Sequence, residues 1–327
     1  MKKNIAIVSG GDSGEKEISL QSALEIQKNI DINKFCPFTI FINKKKWICK
    51  TADKKEIPVD KNDFSVLIKN KRIIFDCVFL IIHGTPGEDG KLQGYFDLLE
   101  IPYSSCNRTT SAITFNKSFC KGLVNSLGVL TAKSVHLFKH DSINTDNILS
   151  QISLPCFVKP NSGGSSVGMT KVVEKKKLKN AITTAFAEDD EVLVEEFISG
   201  REITCGILKS KGKMIVLPLT EIVSKKDFFD FEAKYDPALV DEIVPAAITE
   251  KIETECKTLS SYLYNKLNCK GIVRFDYILS NDKLFFLEVN TIPGLSENSI
   301  VPKMAKVFGL NYKELITLLI EDALENN

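Results

Sequence analysis

The segment "DCVFLIIHG", residues 76–84, constrains the fold more than any other stretch of this chain. A strand with one face in water alternates apolar and polar residues. A run without alternation is buried on both faces, the mark of a parallel sheet covered by helices. "NIAIVSG" at 4–10 is a second such run, and the helical composition of "EISLQSALEIQKNI" follows it. Beyond residue 84, Leu92, Phe96 and Leu99 recur at helical spacing, with Asp89 placed as an N-cap. Alternating strands and helices predict a doubly wound α/β sheet, whose ligands bind at the carboxyl ends of the strands. "GGDSGE" and "HGTPGEDG" both fall at such ends.

The rest of the 327 residues is long enough for one or two further compact domains. Strand-like "LPCFVKP", "MTKVV" and "EVLVEE" flank a lysine-rich helix, "EKKKLKNAITTAF", whose charges read as a solvated face. "REITCGIL" and "KMIVLPLTEI" are strand-like as well. Ile252, Cys256, Leu259, Leu263 and Leu267 then mark a long amphipathic helix. Residues 223–245 show no period, as expected of a lid or binding loop. A net charge of +1 gives no electrostatic footprint for nucleic acid or an anionic membrane. The apolar start is too short for a signal peptide, and no run approaches the roughly 20 residues of a membrane span. Nine cysteines without a CxxC pair fit a reducing cytoplasm better than a disulfide framework.

Chemistry concentrates in four places. In "GIVRFDYILSNDKLFFLEVN" two strand-like runs flank a polar turn, which reads as a β-hairpin. Residues i and i+2 share a face, so Arg274 and Asp276 are neighbours on one strand, as are Glu288 and Asn290 on the other. A turn centred on Asp282 sets Asp276 opposite Glu288 and Arg274 opposite Asn290. Two carboxylates and an amide converging this way form a hard oxygen site suited to Mg²⁺, with Arg274 beside it for a phosphate or an oxyanion. The competing reading is a solvated sheet face with cross-strand ion pairs. "FVKPNSGGSSVGMTKV" is a Gly- and Ser-rich loop between two strands, so it matches neither the Rossmann fingerprint nor the P-loop. It reads as a phosphate-wrapping loop with Lys159 behind it, or as a flexible hairpin. In "VEEFISGRE" a carboxylate at a strand end before a turn can present backbone groups to an adenine edge, but taken alone Glu195 and Glu202 read as ordinary surface acids. His83 ends the buried run, where a histidine serves structure more often than chemistry. Gly11-Asp12-Ser13-Gly14 imitates the nucleophile loop of a trypsin-type protease, but such enzymes carry it late in an all-β, disulfide-bonded chain.

Together these stretches resemble the ATP-grasp fold and, within it, the D-alanine–D-alanine ligases. The resemblance rests on "GGDSGEKEIS", "HGTPGEDGKLQGYFDLLEIPYS", "KPNSGGSSVGMTKV", "VEEFISGREIT", "FFDFEAKY" and "RFDYILSNDKLFFLEVNTIPGLSENSIVPKMA", in that order along nearly the whole chain. It implies an α/β, α+β architecture of three domains: a Rossmann-like substrate domain at 1–106, a central ATP-grasp subdomain at 107–196 and a catalytic domain at 197–327. It implies ligation of two D-alanines through a D-alanyl phosphate, with ATP and two Mg²⁺ ions for which Mn²⁺ substitutes. Peptidoglycan precursors are the implied destination, and a cytoplasmic homodimer that binds neither nucleic acid nor membrane is the implied form.

By the same resemblance, Asp276, Glu288 and Asn290 are metal ligands. Lys117, Lys159 and Lys234 hold the ATP phosphates under the loop carrying Ser162, Gly164 and Ser166. Glu195 meets the adenine edge and Glu202 the ribose, with Glu196 and Ile198 also binding ATP. Glu15, with Ser165 and Tyr235, receives the first amino acid, leaving Ser13 no nucleophilic role. Tyr235 after Lys234 favours D-alanine over D-lactate or D-serine as the second substrate. Arg274 and the Gly294 N–H face the oxyanion. His83, Ser299 and Ile300 bind substrate, with Pro302 marking a helix start where a carboxylate is favoured. Two departures from the family pattern stand out: Phe229 and Phe231 replace tyrosines, and Gly163 is expected to loosen its loop.

Overall fold

The computed structural model describes residues 2–51, 53, 55–164, 167–224 and 240–325. Three sheets organise them. The first contains β1 (Lys3–Gly10), β2 (Phe35–Asn43), β3 (Lys46–Lys50), β4 (Glu56–Asp60), β5 (Ser65–Ile68), β6 (Lys71–Ile73) and β7 (Cys77–Leu80), in the order β6-β5-β4-β3-β2-β1-β7. The two unbroken apolar runs lie at one end of it, where β1 pairs in parallel with both β2 and the last strand, β7. The remaining strands add on antiparallel, so the sheet is mixed and only its β2-β1-β7 end is parallel. Helix α1 (Lys16–Asn29) packs on β1 through Ala23 and Ile26. Helix α2 (Lys91–Leu98) starts at Gly90 in a left-handed conformation. Asp89 therefore stands one residue before the cap position, yet its Oδ1 accepts the Lys91 N–H at 3.2 Å while Oδ2 holds Thr85 Oγ1 and Lys91 Nζ.

Helices α3 (Arg108–Phe115) and α4 (Lys117–Ser126) lead to the second sheet. It is antiparallel, in the order β10-β9-β11-β8, and holds β8 (Ser134–Phe138), β9 (Cys156–Pro160), β10 (Thr170–Val172) and β11 (Glu191–Glu196). Helices α5 (Thr145–Gln151) and α6 (Lys175–Ala185) cover one face with Ile148, Leu178, Ala181 and Ile182. Lysines 175–177 pair with Asp146 and Glu174 on the exposed side of α6. The opposite face of β9 and β11 is left to the cavity described below.

The third sheet runs β15-β14-β12-β16-β17, with β13 also on β12. Its strands are β12 (Arg201–Ser210), β13 (Lys213–Val216), β14 (Thr220–Ser224), β15 (Val240–Ile243), β16 (Val273–Ser280) and β17 (Lys283–Asn290). Helix α7 (Glu250–Lys266), capped by the Thr249 hydroxyl, buries Ile252, Cys256 and Leu263 against it. Helix α8 (Ile300–Phe308) and helix α9 (Tyr312–Glu325) close the fold. Leu315, Ile316, Leu319 and Ile320 of α9 enter the same core as β1 and β7, so the end of the chain completes the first sheet. All nine cysteines are free thiols, and no helix among the described residues is long and apolar enough to cross a membrane.

Candidate active site

A cavity of about 1170 Å³ lies where the three sheets meet. The ends of β1 and β7, the uncovered face of β9 and β11, the β16–β17 hairpin and the N-termini of α1, α4 and α8 form its walls. Three helix N-termini directed at one space favour an anionic occupant.

The β16–β17 hairpin supplies the densest polar wall. Its turn has two residues, Asn281 and Asp282, both with positive φ as a type I′ turn requires. A regular ladder from that turn sets Asp276 opposite Leu287 and turns Glu288 into the apolar core. A β-bulge between Asp276 and Tyr277 changes this: Tyr277 pairs with Phe286 but Asp276 with Glu288, leaving Leu287 as the extra residue. Burial follows the switch, since Leu284 and Phe286 are core residues on one side of the bulge and Val289 on the other. Asp276 faces Glu288 and Arg274 faces Asn290, as expected from the sequence, but by means of an irregularity the sequence reading did not contain. Arg274 reaches Asp276 with Nε on Oδ1 and Nη2 on Oδ2, each at 2.9 Å, and Asn290 Nδ2 donates to Oδ2 at 2.9 Å. Burial opposes the Arg274 charge, but Asp276 prevails and raises its pKa.

Opposite stands a cationic wall. Lys117, at the start of α4, donates to the Gly163 carbonyl at 2.5 Å and lies 3.8 Å from Glu288 Oε2. Gly163 has a φ of +127°, which side chains rarely adopt, so this glycine sets the course of the loop. Ser162 is anchored by its N–H to Asp189 Oδ2 at 2.7 Å. A Cβ on Gly164 would come within 2.9 Å of Glu15 Oε2, so the loop lies directly against that carboxylate. Lys159, buried on β9, pairs with Glu195 on β11, and Lys121 pairs with the other oxygen of that carboxylate. Burial opposes the Glu195 charge; the two ammonium groups overcome it and hold its pKa below the usual range.

At the first sheet, Ser13 Oγ donates to the His83 carbonyl at 2.8 Å and accepts the Glu15 N–H at 3.3 Å. The hydroxyl ties two loops together and orients Glu15, the N-cap position of α1. His83 Nδ1 lies 3.0 Å from the Ile292 carbonyl, which can only accept, so Nδ1 bears the proton and Nε2 is an acceptor. That Nε2 is buried with no partner among the described residues, and burial lowers the His83 pKa, keeping the ring neutral.

The remaining candidates also line this cavity. Ser299 is the N-cap of α8, its hydroxyl held 2.6 Å from Ser296 Oγ rather than capping the helix. Gly294 lies beside it, where a Cβ would approach Ser299 Oγ to 3.1 Å, and Ile300 follows. Glu195, Glu196, Ile198 and Glu202 line the far end, where Glu196 Oε1 accepts the Lys133 N–H at 2.7 Å. Ser165, Ser166, Lys234 and Tyr235 lie outside the described residues, as do Phe229, Phe231 and most of the expected lid; of that stretch, β15 pairs with β14.

Several wall residues were absent from the sequence reading. Glu88 accepts the Gly84 N–H at 2.7 Å, and burial, then Glu15, push its pKa up to about 8. Phe157 shares the inner face of β9 with Lys159, a neighbour that i+2 spacing reveals. Lys121 is one helical turn past Lys117 and was findable at i+4. Glu221, clamped by Arg201 at 2.6 Å, has no sequence signal of its own.

Among the described residues no group of three or more His, Cys, Asp and Glu side chains forms a metal site. Asp276 and Glu288 with the Asn290 amide are nonetheless all hard oxygen donors. The Asn290 nitrogen is turned to Asp276, which leaves its oxygen for a ligand. Such a set fits Mg²⁺, which takes one or two carboxylates and completes its shell with water and phosphate.

A family model described as D-ala D-ala ligase N-terminus matches residues 4–106, and one described as D-ala D-ala ligase C-terminus matches 123–321. A D-alanine–D-alanine ligase of Azobacteroides pseudotrichonymphae is 50% identical over 321 residues, covering 98% of this chain and 99% of the relative. The VanG D-Ala:D-Ser ligase of Enterococcus faecalis superposes with a TM-score of 0.86 at 34% identity, covering 98% of this chain and 99% of that one. The D-alanine–D-alanine ligase of Bacillus anthracis, solved with ATP, gives 0.78 at 29% identity over 99% and 97% of the two chains.

Proposed function

Because the chain belongs to the D-alanine–D-alanine ligase family, it joins two D-alanines at the expense of ATP for peptidoglycan synthesis, and we propose how its residues divide that work. Glu15 receives the ammonium of the first D-alanine, with the bare Nε2 of His83 as a second acceptor. The carboxylate of that D-alanine attacks the γ-phosphorus of ATP in line, giving D-alanyl phosphate and ADP; positioning and charge neutralisation do most of this work. Lys117 and Lys159 hold the phosphates. Ser162, Gly164 and Ser166 cover them, and Lys234 reaches the γ-phosphate. Glu195 meets the adenine edge and Glu202 the ribose, with Glu196 and Ile198 also binding ATP. Ser165 and Tyr235 accompany Glu15 by resemblance alone. Asp276, Glu288 and Asn290 would hold two Mg²⁺ ions, for which Mn²⁺ substitutes, and the bound ions would neutralise phosphate charge.

The amine of the second D-alanine then attacks the acyl carbon and phosphate departs. Arg274 engages Asp276 through its Nε–Nη2 edge, so its Nη1 side and the Gly294 N–H take the oxyanion. Ser299 and the first turn of α8 hold the second carboxylate, walled by Ile300. Acyl phosphates hydrolyse, so within 223–245 the part between β14 and β15 is assigned as the lid that excludes water. The chain divides for this purpose at residues 106 and 196, and works as a cytoplasmic homodimer.

The observation that supports this reading best is one cavity with Arg274, Asp276, Glu288 and Asn290 on one wall and Lys117, Lys159 and Glu15 facing them. Phosphate release from ATP is expected to require D-alanine and to yield the dipeptide by mass spectrometry. Equal or better turnover with D-serine or D-lactate as second substrate overturns the substrate assignment.

A further inference from the structure

Behind the cationic wall sits a charge cluster that the reaction does not fully use. Lys121, Lys159 and Glu195 are 4%, 8% and 3% exposed, so three charges are buried together. Each lysine takes one oxygen of the same carboxylate, Lys121 on Oε1 and Lys159 on Oε2. Glu195 and Lys159 line the cavity, whereas Lys121 reaches Glu195 from α4 behind it. Neutralising Glu195 needs only one cation, so the second calls for an explanation.

Its use becomes plain when Lys159 has to leave. A phosphate entering the cavity draws the Lys159 ammonium away from Glu195. With Lys159 as its only partner, that carboxylate would then be stranded in the interior, and an unpaired buried charge is strongly unfavourable. Lys159 would stay where it is, and the phosphate would lose a contact. Lys121 removes the conflict, because Glu195 keeps a buried cation whichever way Lys159 turns. We propose that Lys121 is a positioning residue for nucleotide binding, which holds Glu195 so that Lys159 is released to an anionic phosphate. This rests on the reading that Lys159 binds the ATP phosphates.

The test compares adenosine, ADP and ATP binding by competition in the full-length enzyme carrying Lys121→Met, Lys121→Arg or Lys159→Met. Lys121→Met is expected to weaken ADP and ATP by about tenfold or more while adenosine changes less than about twofold. KM for ATP rises by the same factor with kcat little altered, and Lys121→Arg restores both. Adding Glu195→Gln to Lys121→Met removes the stranded charge and returns the ADP-to-adenosine affinity ratio toward its original value. Equal loss of adenosine and ADP would mean that Lys121 only supports the fold, and unchanged ADP affinity would remove its role altogether; either result overturns the proposal. If Lys159→Met leaves ADP affinity intact, the underlying reading of Lys159 fails. If Lys159→Met weakens ADP while Lys121→Met does not, only the role given to Lys121 fails. Should Lys121→Met not fold, Lys121→Gln, which keeps a polar side chain but removes the charge, carries the same comparison.

Discussion

A carboxyl group with a pKa near 8 is the most unusual single residue of this site. Burial does most to raise the Glu88 pKa, and the nearby acids Glu15 and Glu288 add to that against one cation, Lys117. The folded chain therefore binds a proton that the unfolded chain has already lost between the usual value of 4.5 and about 8. Linkage fixes the sign: this contribution to stability is fully present below 4.5 and disappears as pH rises through 8. Glu88→Gln cannot ionise, so its melting temperature is expected to gain on that of the natural protein from pH 5 to 9, by on the order of a few degrees. Parallel curves in thermal melts across that range would show that Glu88 carries no such strain. Glu88 was readable in "HGTPGEDG" only as one acid among many. Its character comes first from burial and then from Glu15 and Glu288, which are 73 and 200 positions away in the chain. Arg274 and Asp276, by contrast, are two residues apart on one strand, and their partnership was legible directly.

At the scale of elements, the hairpin shows both how far local pattern reaches and where it stops. Two strands and a turn were plain from the run of residues, and so were the facing pairs. The mechanism differs: a turn centred on Asp282 was expected, whereas the Asn281–Asp282 turn lies half a residue earlier and Leu287 makes up the difference. Deleting Leu287 is expected to leave Asp276 opposite Glu288 in a regular ladder but without the bend that aims them. The protein should fold with its sheet intact by circular dichroism while kcat falls by about 10²-fold, the effect of an ångström-scale misplacement. Full activity would make the bulge incidental. The antiparallel extension β3–β6 escaped the sequence reading for another physical reason. Its strands are only three to five residues long, and each mixes exposed and half-buried or buried positions. Such strands carry neither the alternation nor the apolar runs that betray β1 and β7.

The molecule as a whole is tied together by its last helix. Leu319 is buried in the core that β1 and β7 share with α9, and Lys34 joins Glu321 at 2.6 Å across the same contact. Leu319→Ala is expected to lower stability by about 2–5 kcal/mol, a shift seen as an earlier midpoint in urea. Loss of the first sheet together with α9, rather than of α9 alone, is the outcome this shared core requires; separate melting of the helix would contradict it. During synthesis the consequence is a delay. More than three hundred residues separate β1 from the α9 side chains that seal its sheet, so these leave the ribosome long after it. Until then that apolar surface stays open to chaperones and to neighbouring nascent chains. A message cut short before α9 would yield a polypeptide with every site residue named here and no finished body to hold them.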